Sequence, residues 1–337
     1  MKKFLKILLY TLFILSIQTN IIHAEPSKNP RPENLKPLLN LEENITNFKI
    51  SANEQYIAYY NSSSRYLIVK NLYSNTEIWR KKTNTNLYDW HPSEDILIYS
   101  DNNKSNFSIN TINIHNPASL KTIHSEKSEN QDIIFLKSSP QKDEVFFIVL
   151  KGFANAHGYT STINYVDQQK VSSIGDYPDS EYITFSTVNS NFAISQLNYL
   201  DMTTNTLKLI DANYNLLNTI TEGHITSSPL FSLNGKEIVY SELDDNNQKI
   251  VLYDLEKNKS TILKNHSSDV QNLCWLNKDT LVYLSGTKPH IEIFNIITQN
   301  NFTLSEGMAP FTLNNNLYFL KENPHTYETL LYVYINN

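Results

Sequence analysis

Three histidines fall in segments that connect predicted strands, and histidine is the side chain whose ordinary pKa best suits acid–base chemistry near neutral pH. They are His157, His290 and His325. If these connections come together on one face of the fold, the three side chains could share a rim. The alternative is three separate solvated histidines. Because no histidine pair has the spacing of a helical zinc motif and there is no cysteine pair, the sequence predicts no metal site and no cofactor.

The most distinctive connection is the segment 151–159, Lys-Gly-Phe-Ala-Asn-Ala-His-Gly-Tyr. It contains two of the seven glycines together with two aromatic residues. Connections that combine glycine with exposed aromatic side chains often contact ligands or partners. An ordinary surface loop is the alternative. The candidate binding residues of the sequence are therefore Phe153, His157, Tyr159, His290 and His325.

Carboxylates, which could act as general acids and bases, are scattered rather than paired. Asp176, Asp179 and Glu181 form one loose group, and the segment 244–247, Asp-Asp-Asn-Asn, forms another. Carboxylate and amide oxygens could bind calcium in the second group. Asp and Asn also dominate hairpin turns, so we predict a turn there. No Gly-x-Ser-x-Gly nucleophile motif is present, and we predict no catalytic residue.

Cys274 is the single cysteine, so the chain can form no internal disulfide. It precedes Trp275 in an apolar segment. We expect it to act as a small buried hydrophobic residue rather than as a reactive thiol.

The elements that must position these residues follow from a repeat. A block of an aromatic residue, a polar turn and an apolar strand recurs seven times, as in the segment 231–241, Phe-Ser-Leu-Asn-Gly-Lys-Glu-Ile-Val-Tyr-Ser. Copies start 36 to 50 residues apart, which is the period of a β-propeller blade. We predict an all-β, seven-bladed β-propeller, or six blades if the third or fourth unit is misassigned. The repeat anchors, expected to fill the space between blades, are Phe48, Trp90, Phe135, Phe185, Phe231, Trp275 and Phe311.

Each unit is predicted to contain four short strands. In the fifth unit these are residues 228–232, 237–241, 249–255 and 260–263, with a tight turn at 234–236. An Asn or Asp recurs at the end of the third strand. Such a side chain can bond its own backbone two residues on, so we interpret these positions as turn formers rather than catalytic groups. They are Asn71, Asp211, Asp254 and Asn295.

The two ends of the domain are predicted to meet. The last unit, with strands at 317–320 and 330–335, is one strand short, and an unassigned apolar segment at 35–41 would supply its outer strand and close the ring. We therefore assign residues 35–337 to the propeller domain and residues 25–34, which are rich in proline, to a linker.

Residues 1–24 have the pattern of a secretory signal peptide. Lys2, Lys3 and Lys6 precede an apolar run at 8–17, and Ala24 offers a small residue for cleavage. The run is shorter than the roughly 20 residues that span a bilayer, although an uncleaved anchor is the alternative. We expect a periplasmic or secreted protein without stable membrane insertion.

The charge balance argues against one class of partner. The formal net charge is −6 at pH 7. Cleavage after residue 24 would remove three lysines and make the net charge more negative. Proteins that bind nucleic acid need a basic surface, so we expect no nucleic-acid partner. We expect a monomer whose partner is an envelope protein or a peptide.

Several units resemble a known family. The segment 229–241, Pro-Leu-Phe-Ser-Leu-Asn-Gly-Lys-Glu-Ile-Val-Tyr-Ser, is similar to the repeat of TolB-type periplasmic propellers, and Trp90-His-Pro in the second unit keeps the proline of that repeat as Pro92. The sixth unit is equally similar to a WD-type repeat, with His266 in place of its turn histidine and Phe294-Asn295 in place of its Trp-Asp pair. The N-terminal α/β domain of TolB has no counterpart in this sequence, and this difference argues against a Tol–Pal role.

The predicted function is a non-enzymatic scaffold of the cell envelope that binds a protein or peptide. The alternative is a propeller enzyme, such as a lactonase or a glycan hydrolase, with its site in a central channel. The segments expected near that channel, 47–49, 228–230 and 272–274, contain no carboxylate.

Overall fold

A computed structural model describes residues 34–41, 44–102, 106–127, 131–152, 159–167, 170–174, 180–197, 204–244, 247–323, 326 and 328–336. The described residues form 28 β-strands and a short 3-10 helix, Pro117–Ser119. The chain is therefore all-β, as the sequence predicts. No helix in the described part of the chain is long and apolar enough to cross a membrane.

Strand β1 (Leu35–Asn40) pairs with the far end of the chain, whereas the strands that follow form antiparallel sheets in sequence order. Sheet 1 contains β2 (Ile45–Ile50), β3 (Tyr56–Asn61), β4 (Tyr66–Asn71) and β5 (Glu77–Lys82). Sheet 2 contains β6 (Tyr88–Trp90), β7 (Ile96–Asn102), β8 (Asn106–Asn113) and β9 (Lys121–Lys127). Sheet 3 contains β10 (Gln131–Ser138), β11 (Glu144–Gly152), β12 (Tyr159–Asp167) and β13 (Lys170–Ser173).

The next eight strands form one continuous sheet, whose two halves we name sheet 4 and sheet 5. Sheet 4 contains β14 (Ser180–Phe185), β15 (Phe192–Leu197), β16 (Asn205–Ile210) and β17 (Leu216–Ile225). Sheet 5 contains β18 (Leu230–Phe231), β19 (Glu237–Asp244), β20 (Asn247–Asp254) and β21 (Lys259–His266). The halves are joined because the end of β17 pairs with β19, His224 opposite Leu243.

Sheet 6 again has four consecutive strands, and sheet 7 combines both ends of the chain. Sheet 6 contains β22 (Val270–Asn277), β23 (Thr280–Ser285), β24 (His290–Asn295) and β25 (Asn301–Glu306). Sheet 7 contains β26 (Met308–Leu313), β27 (Asn316–Glu322), β28 (Thr329–Ile335) and β1. The register of β1 on β28 runs from Leu35 opposite Tyr334 to Asn40 opposite Leu330.

The hydrophobic core lies between neighbouring sheets. Apolar second strands are buried on both faces, and β23 is buried throughout its length. Among the described residues, each buried apolar cluster is shared by two sheets that follow one another, and one is shared by sheet 7 and sheet 1. Each repeat anchor is a member of such a cluster or packs against one.

The first strands of the sheets lie next to one another. Strand β2 contacts β6, β6 contacts β10, β10 contacts β14, and β14 contacts β18. The series continues from sheet 5 to β22 and then to β26, which contacts β2. Residues on first strands therefore face a common space.

The recurrent Asx positions form turns, as predicted. Asn71 Oδ1 accepts bonds from the backbone N–H groups of Tyr73 and Ser74 at 3.0 and 2.9 Å. Asp254 and Asn295 make the equivalent bonds, and Asp211 Oδ1 accepts bonds from the backbone N–H groups of Asn213 and Asn215. These side chains hold the turn before the fourth strand and are committed to the fold.

The fifth unit differs from its predicted bounds at its first strand. The sequence predicts strand from 228 to 232, but β18 is limited to Leu230–Phe231. The physical reason is that the backbone N–H of Ser241 in β19 donates to Ser227 Oγ at 2.9 Å. A bond to a side chain thus takes the place of a backbone bond between the two strands. The predicted turn at 234–236 is present, with Gly235 at a φ of +69°.

Candidate functional site

A cavity of about 600 Å³ opens where the first strands meet. It is lined by residues of β2, β14, β22 and β26 and by the segment 226–228 before β18. Pockets of about 300–1,000 Å³ are typical of ligand sites. The site is therefore built by residues from several sheets rather than by one loop.

Three charged side chains stand at one level of sheets 1, 2 and 3. In each of these sheets, the residue just after the first strand donates its backbone N–H to the carbonyl of the first residue of the second strand. The N···O distance is 2.9 Å in all three sheets. The donors of these bonds are Ser51, His91 and Ser139. The residues two positions earlier are Lys49, Asp89 and Lys137, which we name the charged arc.

The aspartate links the three sheets. Lys49 Nζ donates to Asp89 Oδ1 at 2.9 Å, and the backbone N–H of Ser138 donates to Asp89 Oδ2 at 2.9 Å. The two side chains are 26% and 16% exposed, so the ion pair is only partly screened by solvent. Both carboxylate oxygens of Asp89 are thus held by neighbouring first strands.

Two aromatic side chains of β6 fix the level of the arc. Tyr88 Oη donates to the carbonyl of Asn47, and Trp90 Nε1 donates to the carbonyl of Lys49, both at 3.1 Å. Burial, reinforced by the charge of Asp89, raises the pKa of Tyr88, so its hydroxyl stays a donor. The two acceptors are the residues on either side of Phe48, so these bonds fix the position of β6 relative to β2. Asp89 of β6 therefore lies opposite Lys49 of β2.

Lys137 differs from Lys49 in having no ion-pair or hydrogen-bond partner for its ammonium group among the described residues. Burial lowers the pKa of Lys137, the charge of Asp89 opposes this, and the charge of Lys49 adds to it. The ammonium group therefore lies within range of both other members of the arc. The arc has two cations and one anion.

The remainder of the cavity wall carries no charged side chain in the described residues. We name the segments 226–228, 271–273 and 309–311, together with Tyr182, the neutral arc. Its polar members are Thr226, Ser227, Ser228, Gln271 and Asn272. At the level of the charged arc, sheets 4 and 5 place Thr184 and Leu230. Among the described lining residues of the cavity, Lys49 is the one with a charged side chain, and Asp89 is its ion-pair partner.

Bulges interrupt the first strands beside the cavity. The register shifts between Ile45 and Phe48, and equivalent shifts occur in β10, β14, β22 and β26. A bulge leaves its extra residue outside the ladder. Asn272 and Ala309, which line the cavity at two of these bulges, have φ values of 51° and 50°. A left-handed alanine stores about 1–3 kcal/mol, and such strain concentrates at functional sites.

This arrangement can bind a polar ligand. Amide and hydroxyl side chains offer donors and acceptors, Phe311 offers apolar surface, and Lys49 contributes a cation that is paired with Asp89. The described part of the chain has no group of three or more His, Cys, Asp or Glu side chains that could hold a metal ion.

Most of the candidate binding residues predicted from the sequence are not tested by the structure. Phe153, His157 and His325 lie outside the described residues. Tyr159 begins β12 and pairs with Gly152. His290 begins β24, and its Nδ1 lies 2.7 Å from the carbonyl oxygen of Lys288. Its chain neighbours Lys288 and Pro289, but not His290 itself, line a second cavity of about 460 Å³ together with Glu306, Lys321 and Glu322 among others. The shared rim of three histidines stays a prediction.

Other sequence interpretations can be compared with the structure. Cys274 is partly buried, and burial raises the pKa of its thiol to about 12, which keeps the thiol protonated. Asp244 pairs with Asn247 across the β19–β20 connection, as a hairpin requires. His266 ends β21 and lies 3.1 Å from both Ser268 Oγ and Tyr283 Oη.

The charged arc is not evident from the sequence. Lys49, Asp89 and Lys137 stand one after, one before and two after the anchors Phe48, Trp90 and Phe135, so their equivalence is hidden by unequal offsets. The bulge in β10 between Ile133 and Phe135 causes part of this difference. A charged residue beside each anchor in a short apolar strand is the signal that could have revealed them.

No protein-family model and no curated relative matches the sequence. Solved structures do match. An oligogalacturonate lyase in complex with manganese has 11% identity and a TM-score of 0.69, covering 90% of this chain and 97% of the lyase. The β-propeller domain of Cps50 (Swd1) from Myceliophteria thermophila has 9% identity and a TM-score of 0.59, covering 88% and 99%.

These likenesses show that the chain has a β-propeller fold. TolB from Acinetobacter baumannii also matches, with 15% identity over 67% of this chain and 56% of TolB, at a TM-score of 0.48. That value does not single out the TolB type. At such identities the matches carry the fold alone, so function has to be argued from the site.

Proposed function

We propose that this propeller has seven blades and acts as an exported, non-enzymatic scaffold that binds a peptide segment of an envelope protein in its axial cavity. The blade number is supported by the apolar clusters between every pair of consecutive sheets, including sheets 7 and 1. The pairing of β1 with β28 supports a ring that is closed by strand addition from the other end of the chain.

The observation that carries the binding function is the chemistry of the neutral arc. Gln271, Asn272 and the serines at 227 and 228 can donate and accept hydrogen bonds, as a peptide backbone requires. Phe311, which is only partly buried, adds apolar surface on which side chains can pack. A wall that mixes neutral polar groups with aromatic residues is typical of surfaces that bind peptides and proteins.

Export is proposed from the pattern of residues 1–24, which lie outside the described residues. The prediction is that a chain lacking this segment stays in the cytoplasm when it is expressed in a bacterium with an intact export pathway. Cell fractionation, with the full chain as the control, measures this directly.

The binding function can be tested by photo-crosslinking in living cells. A benzophenone amino acid replaces Gln271, which lines the cavity, and in a control chain it replaces Ile262, which is 52% exposed on β21. We expect one adduct with an envelope protein from position 271 and none from position 262. Absence of an adduct at position 271, or the same adducts from both positions, contradicts binding in the cavity.

The alternative is an enzyme with its site in the same cavity. A glycan hydrolase uses two carboxyl groups that flank the scissile bond. In the part of the chain that the structure describes, the lining residues of the cavity include no carboxylate, and the nearby Asp89 is bound to Lys49. The structure therefore supports binding better than hydrolysis. Stoichiometric calcium or zinc in the purified protein would reverse that preference.

A further inference from the structure

We propose that the second cavity binds the C-terminal carboxylate of the peptide whose chain lies in the axial cavity, and that Lys321 is the residue that receives it. The inference deepens the proposed function and rests on it. It names the end of the partner that is recognised, and it predicts that the last side chain of the partner is neutral or basic rather than acidic.

The two cavities are neighbours at the start of β26. Met308 lines the second cavity and Ala309 lines the axial cavity. Consecutive Cα atoms are only about 3.8 Å apart, so the two walls adjoin. The cavities also open at the same end of sheet 6, because β23 ends where β22 begins, with Gln271 opposite Leu284. One extended peptide can therefore contact both.

The second cavity carries charges of both signs, which sets it apart from the axial cavity. Lys288 and Lys321 are its cations, and Glu306 and Glu322 are its anions. Within the described part of the chain, none of the four forms an ion pair. In the axial cavity, by contrast, the charged lining residue is Lys49, which is already paired. The neutral cavity thus suits the body of a peptide, and the charged cavity suits its end.

Lys321 is the cation that is best placed to hold a carboxylate. Its side chain is half-buried, whereas Lys288 and both glutamates are exposed. Its Nζ donates to Ser305 Oγ at 3.4 Å and lies 5.9 Å from the ring centroid of Tyr332. An ammonium group has three donors, so two remain for the oxygens of a ligand. Charge-assisted hydrogen bonds are the strong ones, and reduced exposure limits the screening that weakens surface ion pairs.

Short contacts fix the wall of the second cavity. The backbone N–H of Gly307 donates to the carbonyl of Pro289 at 3.1 Å, and His290 Nδ1 lies 2.7 Å from the carbonyl oxygen of Lys288. A Cβ at Gly307 would lie 2.6 Å from the ring of Phe319, so this close approach requires glycine. The cavity therefore has its shape before a ligand arrives.

The balance of charge selects a C-terminus among carboxylate ligands. A terminal residue brings one carboxylate for Lys321, and a neutral or basic side chain can then lie beside Glu306 and Glu322 without repulsion. A free N-terminus would depend on the two glutamates, whose exposure leaves their charges more strongly screened. An internal Asp or Glu has the same carboxylate chemistry as a C-terminus, and the test separates these two sources.

The test uses a synthetic random dodecapeptide library made in two forms, one with a free C-terminal carboxylate and one with a C-terminal amide. Each form is incubated with the purified protein, and bound peptides are identified by affinity selection with mass spectrometry. Selected sequences are then synthesised in both forms, and fluorescence anisotropy measures the affinity of each.

Four variants locate the site. Lys321→Met removes the charge, and Lys321→Arg keeps it. The matched control is Lys264→Met, because Lys264 Nζ also lies 5.9 Å from a tyrosine ring, that of Tyr283. Lys264 is not among the described lining residues of either cavity, whereas Gln271→Ala alters the axial cavity alone. Circular dichroism shows whether each variant is folded.

We expect the free carboxylate to bind about ten-fold or more tightly than the amide, because the amide cannot form charge-assisted bonds with Lys321. Lys321→Met should abolish this preference, and Lys321→Arg should retain it. Lys264→Met should leave both affinities unchanged. Gln271→Ala should weaken both forms by the same factor, since it acts at a separate cavity.

The failures are distinguishable. Equal affinity for the two forms, or a preference that Lys321→Met leaves intact, overturns the C-terminal site and leaves the peptide scaffold standing. Peptides that require an internal Asp or Glu and bind equally well as amides also overturn it, and they assign the cavity to a side-chain carboxylate if Lys321→Met abolishes their binding. A selection that yields no peptide from either library overturns both proposals.

Discussion

The first strands of sheets 1 to 3 and those of sheets 4 and 5 carry chemically different side chains at the same level of the repeat. Sheets 1 to 3 place Lys49, Asp89 and Lys137 at the level where sheets 4 and 5 place Thr184 and Leu230. A propeller needs an extended first strand at this level, but it does not need any particular side chain there. The repeat therefore keeps the same backbone in each sheet while the side chain at this level differs from sheet to sheet.

The two tryptophan anchors show the same contrast. Trp90 of sheet 2 donates its indole N–H to the carbonyl of Lys49 at 3.1 Å, whereas the buried Trp275 Nε1 of sheet 6 has no acceptor in the described part of the chain. Both rings are 6% exposed and fill equivalent spaces between sheets. Packing is thus shared by both anchors, and the hydrogen bond is specific to the charged side.

The largest expected effect comes from removing the anion of the charged arc. Asp89→Asn should leave the ammonium groups of Lys49 and Lys137 without a counter-charge. We expect a loss of about 2–3 kcal/mol of unfolding free energy, below the range for fully buried pairs because Lys49 is 26% exposed. Urea unfolding followed by tryptophan fluorescence measures it.

The matched control for Asp89→Asn is Thr184→Val, which changes a buried polar side chain at the same level of sheet 4. That change should cost about 1 kcal/mol or less. Equal losses in the two variants would mean that the charges add nothing beyond packing at this level.

The second prediction compares the tryptophans. Trp90→Phe and Trp275→Phe create similar cavities, but only the first removes a hydrogen bond, and the second also removes a buried N–H that has no partner. We expect Trp90→Phe to be more destabilising by about 1–2 kcal/mol. Thermal or urea unfolding of the two single variants tests this. A larger loss for Trp275→Phe contradicts the role assigned to the Lys49 carbonyl.

The third prediction concerns pH and compares one histidine from each side. His124 packs between Phe107 and Phe147, with ring centroids 5.7 and 5.3 Å away, and His266 packs edge-on against Tyr283 at 5.4 Å. Burial lowers the pKa of both below the ordinary value of 6.5; Glu126 opposes the shift at His124, while at His266 Lys264 adds to it and Glu292 opposes it.

Because the folded-state pKa values are lowered, the unfolded chain binds more protons as the pH falls below about 6.5. Stability should be complete above that pH and decline as the pH falls toward the folded-state pKa values. Unfolding midpoints measured between pH 8 and pH 5 should show this decline, and His124→Phe should reduce its slope. An unchanged slope in His124→Phe would assign the decline to other groups.

The smallest expected effect is that of Lys137→Met on stability. Removing an unpaired, half-buried ammonium group should leave the unfolding free energy unchanged or raise it by up to about 1 kcal/mol, because a desolvated charge is replaced by an apolar chain. Lys49→Met, which removes the ion-pair partner of Asp89, should be destabilising in the same assay. A destabilised Lys137→Met would show that Lys137 contributes to the fold.

Positions that repeat from unit to unit could be predicted from the sequence. The anchors, the Asx turns at Asn71, Asp211, Asp254 and Asn295, and the strand at 35–41 all depend on backbone periodicity, which each unit must obey. These features recur because every sheet has to bury the same faces and open the same turns.

The charged arc could not be found in the same way, because it occurs once in the chain. Its members come from three sheets, and bulges shift their offsets from the anchors. Their proximity depends on which sheets are neighbours and on the bonds from Tyr88 and Trp90. The predicted binding loop at 151–159 has a distinctive composition, with two glycines and two aromatic residues. Composition alone, however, does not show whether a loop lies beside a cavity.

The pairing of β1 with β28 has a consequence for how the protein folds. Sheet 7 joins strands from opposite ends of the described chain, so its completion has the longest sequence separation of any pairing in the fold. Contacts of such separation form late, because the loop they close is largest. We therefore expect the pairing of β1 with β28 to form in the last step of folding. Until that step, β28 presents an open edge to which a strand of another molecule could add, and the hazard of misassembly is concentrated at this one place.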